Sequence, residues 1–449
     1  MNKVYLINYA VEGIKNIEDW VEFSFYKKTI TKSFSVKQFN IKGIYGINGA
    51  GKSAVIRSAE ILKYLVLDPD YLSDPYVQNL LNDLVNKKKK TFGAKLDFIH
   101  CANKEMVMYR YEIKIEKNQL KSYVITSERL CFKNALSKSG NWNALYHTEY
   151  GKLYVDVKNA QSDKLIDETK NLLSKASLSA IFRGSETLIR DKELDDNVWN
   201  GLASLLLLAI NVQVYMDQGD DHRAFYINRN LEEDKLTDIL SPDPSTTRIN
   251  RLSGRSITAF SPDRMYMKKD VYPVFEENTK RLCEFIKIFK NDLVNIGIKR
   301  KEEEDCYVCS LVMNYSDYSI DSEFESTGIK KLVKLFDYLD KMVNGGIVFI
   351  DELDSNLHDV YLCALLEYLA ENAEGQICFT THNIGPMDIL RKNRKSIDFL
   401  SCDHKVISWT KSGNYSPASL YRNGMIEGSA FNVFPFDFVK AFYSAGKDK

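Results

Sequence analysis

The sequence predicts an α/β fold in which β-rich stretches toward both ends of the chain flank a mostly helical middle. Two observations predict it. A glycine-rich stretch, GIYGINGAGKS (residues 43–53), stands between a β-branched, aromatic run and a run with helical spacing. Further on, two continuous apolar runs, GGIVFIDE and GQICFTTHN, bracket the helical pattern LHDVYLCALLEYLAEN, the alternation that builds a parallel sheet.

The first 45 residues supply three strand candidates, VYLINYAV, VEFSFY and FNIKGIYGI. The helix after the glycine loop, KSAVIRSAEILKYLVL, sets Val55, Ala59, Leu62 and Val66 on one apolar face. Residues 87–90 (KKKK) read as a solvated loop leading into KLDFIHC, MVMYRYEIKI and SYVITSERL, an antiparallel meander by pattern. From about residue 166 to about 300 the pattern is mostly helical, an insertion in which LASLLLLAINVQV (202–214) reads as a buried helix and SPDPSTTRINRLSG (241–254) as a mobile loop. A strand pair near 306–324 precedes ESTGIKKLVKLFDYLDKMV, where a loop enters a helix, and the stretch after 396 is β-like and aromatic. There is no repeat of fixed period and no sustained heptad that would make a coiled-coil arm.

Composition narrows the classes. A chain of 449 residues with 44% hydrophobic and 27% charged side chains can bury a large core and is expected to be globular over most of its length. Lys+Arg and Asp+Glu stand at 61 each, so no global field attracts nucleic acid or an anionic membrane. The most apolar stretch is well short of the ~20 residues that span a bilayer, and the N-terminus lacks the pattern of a secretory signal. A cytoplasmic protein without a membrane partner is expected. Eight cysteines lack the spacing of a disulfide scaffold. Cys306 and Cys309, the one CxxC, fall on a predicted strand, point to opposite faces and read as structural thiols.

Residues 46–53 fit GxxxxGK[ST] between strand and helix. Glycines without Cβ atoms let successive backbone N–H groups turn inward around phosphate oxygens at a helix N-terminus. Gly46, Asn48, Gly49 and Gly51 would form the cradle, Lys52 would reach the β- and γ-phosphates, and the Ser53 hydroxyl would ligate Mg²⁺. Asp351 and Glu352 end a predicted buried strand, where open α/β sheets gather ligands. Asp351 is placed to hold Mg²⁺ and Glu352 to polarise the attacking water. His382 follows the next buried strand and could touch the γ-phosphate or that water. Ser326 and Gly328 open a helix and would make a second anion site.

The order of these motifs, with DELDSNLHD after the apolar run and GIKNIEDWVEFSF near the start, resembles ABC-type ATPase heads of the RecF/SMC kind, and most closely the "DExxxxLH" of OLD-like and AAA_15-type ATPases. Transporter ATPases differ, carrying LSGGQ and DEPTSALD-like stretches that are absent here. The resemblance implies an ABC-type P-loop head with two lobes and a mixed central sheet beside an antiparallel β subdomain. Lobe I would cover 1–165, a helical insertion 166–300 and lobe II 301–449. It implies ATP with Mg²⁺, a homo-oligomer of at least two subunits, and Ser326 and Gly328 acting in trans on nucleotide held by the partner's Lys52. Asp354 would sit at the subunit interface. Gln78 is the candidate for the Mg²⁺-sensing glutamine of such heads.

OLD-like proteins often append a nuclease domain, and too few residues follow His382 for one. The pattern therefore resembles ATPase subunits of two-component anti-phage systems such as PARIS and Septu. That implies a separate effector, a nuclease or toxin, and a phage-derived trigger protein, with FNVFPFDFVKAFY as a docking segment or a packed edge. The alternative is a RecF/SMC-like clamp on DNA, for which residues 87–90 and 299–301 offer lysines.

Overall fold

The computed structural model describes residues 3–26, 29–102, 105–137, 141–155, 160–185, 194–216, 260–303, 306–393, 395–410 and 416–426. The segments 241–254 and 431–443 singled out above lie outside the described residues.

Strands β1 (Lys3–Glu12) and β2 (Val21–Ser24) form a hairpin, and β3 (Ile41–Tyr45) leads through the glycine loop into helix α1 (Lys52–Leu67). After α2 (Pro75–Leu84), capped by Asp74, come β4 (Thr91–Ala102), β5 (Glu105–Lys117), β6 (Tyr123–Asn134), β7 (Asn143–Glu149) and β8 (Lys152–Val155). These complete a seven-stranded antiparallel sheet ordered β2-β1-β4-β5-β6-β7-β8.

Helices α3 (Ala160–Thr169), α4 (Leu178–Gly184) and α5 (Asp196–Asn211) follow, and α5 runs directly into β9 (Val212–Tyr215). Next are β10 (Met265–Lys268), α6 (Tyr272–Lys287), β11 (Leu293–Glu302), β12 (Cys306–Tyr315) and β13 (Ser319–Asp321); the four strands make a small antiparallel sheet around β12. Cys306 is half-buried on β12 and Cys309 fully buried.

The last part alternates: α7 (Thr327–Val343), β14 (Ile347–Ile350), α8 (Asp359–Asn372), β15 (Gln376–Thr380), α9 (Met387–Leu390), β16 (Ile397–Leu400), β17 (Val406–Ser408) and α10 (Pro417–Arg422). A six-stranded sheet ordered β17-β16-β3-β15-β14-β9 results, parallel except for β17. The fold is α/β with several sheets and, among the described residues, ten α-helices.

Strands β14 and β15 are buried on both faces, which is why they read as apolar runs. Ile347 and Phe349 of β14 face the core shared with α1, α5 and the antiparallel sheet, while Val348 and Ile350 face α7 and α8. Lys42 of β3 and Asp398 of β16, both fully buried, pair at 2.8 Å. Truncating either partner would strand a buried charge, at a cost of about 3–5 kcal/mol.

Two features depart from the sequence reading. The run LASLLLLAINVQV is not one helix: it breaks at Asn211, and Val212–Tyr215 becomes the edge strand of the parallel sheet. Apolar periodicity cannot separate a buried helix from a buried strand, and an unpaired β14 edge rewards the β-branched residues that pair with it. The small antiparallel sheet also begins with β10 and includes β11, inside the stretch expected to be mostly helical. Among the described residues no helix is long and apolar enough to cross a membrane.

Candidate functional site

The glycine loop leaves the C-terminal end of β3, in the middle of the parallel sheet, and closes at Gly51, the residue before α1. Two of its glycines are enforced by surroundings. A Cβ on Gly46 would lie 2.5 Å from the carbonyl oxygen of Leu400, and Gly51 has φ of 103° with Ile17 Cγ1 2.9 Å from where its Cβ would be. Asn48 and Gly49 are exposed at the rim. Asn16, from the β1–β2 connection, donates to the Gly49 carbonyl and lies 3.1 Å from His404 Nε2.

Lys52 is buried, its ammonium donating to the carbonyls of Gly46 at 2.9 Å and Ile47 at 3.1 Å. Burial pulls its pKa down, against the opposing pull of Asp351, Glu352 and Asp354. Ser53 is half-buried in the first turn of α1, where backbone N–H groups have no helical partner.

Asp351 and Glu352 follow β14, and their placement depends on distant residues. Thr380, at the end of β15, donates its hydroxyl to Asp351 Oδ1 at 2.6 Å while its oxygen accepts from the Glu352 amide at 2.8 Å. The Asp351 amide donates to Tyr215 O at 2.9 Å, so the last residue of β9 holds the buried acid. Glu352 has φ of 48°, the left-handed region, which costs a non-glycine residue about 1–2 kcal/mol and persists where the surroundings enforce it.

His382 is exposed on the loop after β15. Its amide and that of Asn383 donate to Asp354 Oδ2, at 3.3 and 3.1 Å. Partial desolvation of the ring, though the residue as a whole is exposed, and then Lys52 lower its pKa, opposed by Asp354, Glu352 and Asp351, so the neutral imidazole prevails at pH 7. Asp354 therefore positions the histidine loop within this chain.

The structure gathers Lys52, Asp351, Glu352 and His382 at one end of the parallel sheet, the C-terminal ends of β3, β14 and β15. Ser326 and Gly328 lie at the start of α7, which borders Asn356 in the turn that follows the acids. Ser326 is exposed and caps α7 by accepting from the Ile329 amide at 3.4 Å, while its own amide donates to Glu325 Oε2 at 3.1 Å and its carbonyl accepts from the Lys330 amide at 3.0 Å. Gly328 is forced by packing, since a Cβ there would be 2.8 Å from Asn356 O.

Gln78 is not part of the site. It stitches α2 to the antiparallel sheet, donating to Leu72 O and Tyr123 O and accepting from the Tyr123 amide at 2.7 Å. Lys88 and Lys89 reach Glu18 and Glu12, and Lys299 reaches Asp321. Sequence reading missed Thr380, Tyr215, Asn16 and Lys331, all of which act through contacts distant along the chain. Only the Thr-Thr-His run gave a local signal of Thr380.

A loop of inward amides with a lysine can take phosphate, and Ser53 with Asp351 suits a divalent cation shared with phosphate oxygens. Among the described residues no group of three or more His, Cys, Asp or Glu would hold a metal alone. The donor set therefore fits a cation that arrives with nucleotide.

No sequence model of a protein family matches the chain, and no curated protein matches it. Among solved structures it is similar to the recombination mediator protein RecF-ATP of the RecFOR pathway, with 14% identity, 91% of this chain and 100% of that chain covered, and a TM-score of 0.40. A second RecF structure, RecF-ATPrS, gives 13% identity, 91% and 99% coverage and a TM-score of 0.38. A likeness this slight transfers no function.

Proposed function

We propose that the chain is an ABC-type ATPase head of the OLD-like, AAA_15 kind, which binds and slowly hydrolyses ATP with Mg²⁺. The observation that carries this reading is the meeting, at the C-terminal ends of three strands of the parallel sheet, of a glycine loop and its buried lysine with Asp351, Glu352 and His382. Lys52 would exchange its carbonyl partners for phosphate oxygens, and Ser53 and Asp351 would hold Mg²⁺, which supplies charge neutralisation. Glu352 would accept the proton of the attacking water, and the neutral His382 would orient that water or the γ-phosphate. The exposed Ser326 end of α7 is free to face a second copy, so that each subunit completes its partner's site. A nucleotide clamped between subunits lets occupancy bias assembly, which suits a scaffold that senses a phage-derived trigger and controls a separate nuclease or toxin.

The test is turnover together with native mass in ATP and Mg²⁺, with genomic neighbours co-expressed. Glu352→Gln should keep nucleotide while turnover falls about 100-fold. A stoichiometric complex with a nuclease-like or toxin-like chain supports effector control. Wild-type protein that binds no ATP ends the whole reading.

One observation favours the DNA-clamp alternative. A cleft of about 680 Å³ beside the start of β1 is lined by Lys3, Lys32 and Lys37 with Tyr5 and Phe34, cations and rings that suit single-stranded nucleic acid, although Glu105 and Glu374 also line it and Glu374 pairs with Lys3 at 2.8 Å. Zero net charge and the acid partners of Lys88 and Lys89 weigh against it. Paired Lys32→Glu and Lys37→Glu changes should abolish salt-dependent DNA binding under this alternative, and DNA binding that is absent or unmoved removes it.

A further inference from the structure

We propose that Lys331 is a positioning residue for hydrolysis: from α7 it holds the backbone of Glu352, coupling the helix that begins at Ser326 to the residue that activates water. This rests on the ATPase reading above and adds to it a connection within one chain.

Lys331 is a lysine with only 3% of its surface exposed. An ammonium buried to that degree must be hydrogen-bonded, and it has three donors to place. One goes to the carbonyl oxygen of Glu352 and another to Ser355 Oγ, while the ammonium also lies 6.0 Å from the centre of the Tyr215 ring. The target is not an arbitrary carbonyl. Glu352 occupies the left-handed region, and both sides of the residue are gripped: its amide by Thr380 Oγ1 and its carbonyl by Lys331 and by the Ser355 amide at 3.0 Å. Without the lysine, one of these grips weakens and the turn can relax toward ordinary backbone angles, which swings the carboxylate away from its place.

A second contact makes the coupling rigid. Gly328, one turn nearer the start of α7, packs so closely on Asn356 O that no Cβ fits, and Thr327 Oγ1 donates to Asn356 Oδ1 at 3.3 Å. The first turn of α7 and the turn after Asp351 are thus fastened at both ends of residues 352–356. Ser326 is exposed and stands five residues, roughly 7.5 Å along the helix, from Lys331. Whatever docks on that exposed end shifts α7 and the backbone of Glu352 together.

The test compares steady-state ATP turnover and binding of a fluorescent ATP analogue for Lys331→Met, Lys331→Arg, Glu352→Gln and the Lys331→Met/Glu352→Gln pair. Lys331→Met should bind the analogue within about 2-fold of wild type and turn over about 30-fold more slowly, since a misplaced catalytic group can cost up to about 100-fold. Lys331→Arg should recover part of that loss. The double variant should be no slower than Glu352→Gln alone, because both changes remove the same contribution. Wild-type turnover in Lys331→Met, or losses that multiply in the double variant, overturns the proposal. Should Lys331→Met fail to give a cooperative melt, Ser355→Ala supplies the readout: about 3-fold slower turnover with unchanged binding supports it, and wild-type turnover overturns it. Wild-type protein that binds ATP and never turns it over sinks the ATPase reading and this proposal with it.

Discussion

The loop at 46–53 and the turn at 351–356 carry complementary halves of the site, yet they are held in different ways. The loop is almost self-sufficient: strand, glycines, lysine and helix start are consecutive, and Lys52 bonds to carbonyls only five and six residues away. The turn is assembled from afar, by one contact from Tyr215 and several from Thr380 and Lys331. Changes in the loop should therefore alter nucleotide binding with little cost in stability, whereas changes around the turn should strike hydrolysis and folding together.

The largest expected effect is Lys52→Ala, which should weaken ATP binding by at least about 100-fold, read by calorimetry, while the melting temperature holds or rises because a buried ammonium with a depressed pKa is removed. A melting temperature that falls with Lys52→Ala would break the contrast. Thr380→Val should do the reverse. It strips the partner from a buried carboxylate and from the Glu352 amide, so stability should drop by about 2–3 kcal/mol in urea melts and turnover should fall with it. Gly51→Ala is the exception within the loop, since strain at φ of 103° and the contact with Ile17 should cost about 1–2 kcal/mol and also spoil the cradle. The smallest effect is expected of Asn16→Ala, a several-fold loss of affinity with an unchanged melt, since that side chain only steadies Gly49 from outside the loop.

The α7 region also carries a pH signature. Burial pushes the Asp337 carboxyl up to about 8, with the Phe260 amide at 2.6 Å and Arg281 opposing and Asp340 adding to the rise. The folded chain holds that proton where the unfolded chain releases it near pH 4, so stability declines as pH rises between about 4 and 8. Asp337→Asn keeps an acceptor for Phe260 and should flatten that slope. Stability should be gained at pH 8, with little change at pH 4.

Much of the fold was legible because its signals are local. The apolar runs of β14 and β15 announced buried strands, the β-branched and aromatic residues of β3 a strand, and the helical spacing of Val55, Ala59, Leu62 and Val66 announced α1. The run 202–214 was misread for the same reason in reverse: Val212 and Val214 look like the continuation of an apolar helix until β14 offers them an edge. Gln78 was a candidate by residue type alone, and its actual partners, Leu72 and Tyr123, could be known only from the folded chain.

What the sequence by itself determined is the glycine loop between strand and helix and the order of the strands and helices that carry the acids. A cradle needs glycines, a lysine and a helix start in one short stretch, and backbone chemistry of that kind is written locally. Only the tertiary structure decided how Glu352 is held, which strand buries Asp351, and that the helix beginning at Ser326 is tied to the same turn. Those contacts join residues up to 136 positions apart, and no propensity or periodicity encodes which distant hydroxyl, carbonyl or ammonium will meet once the core has closed.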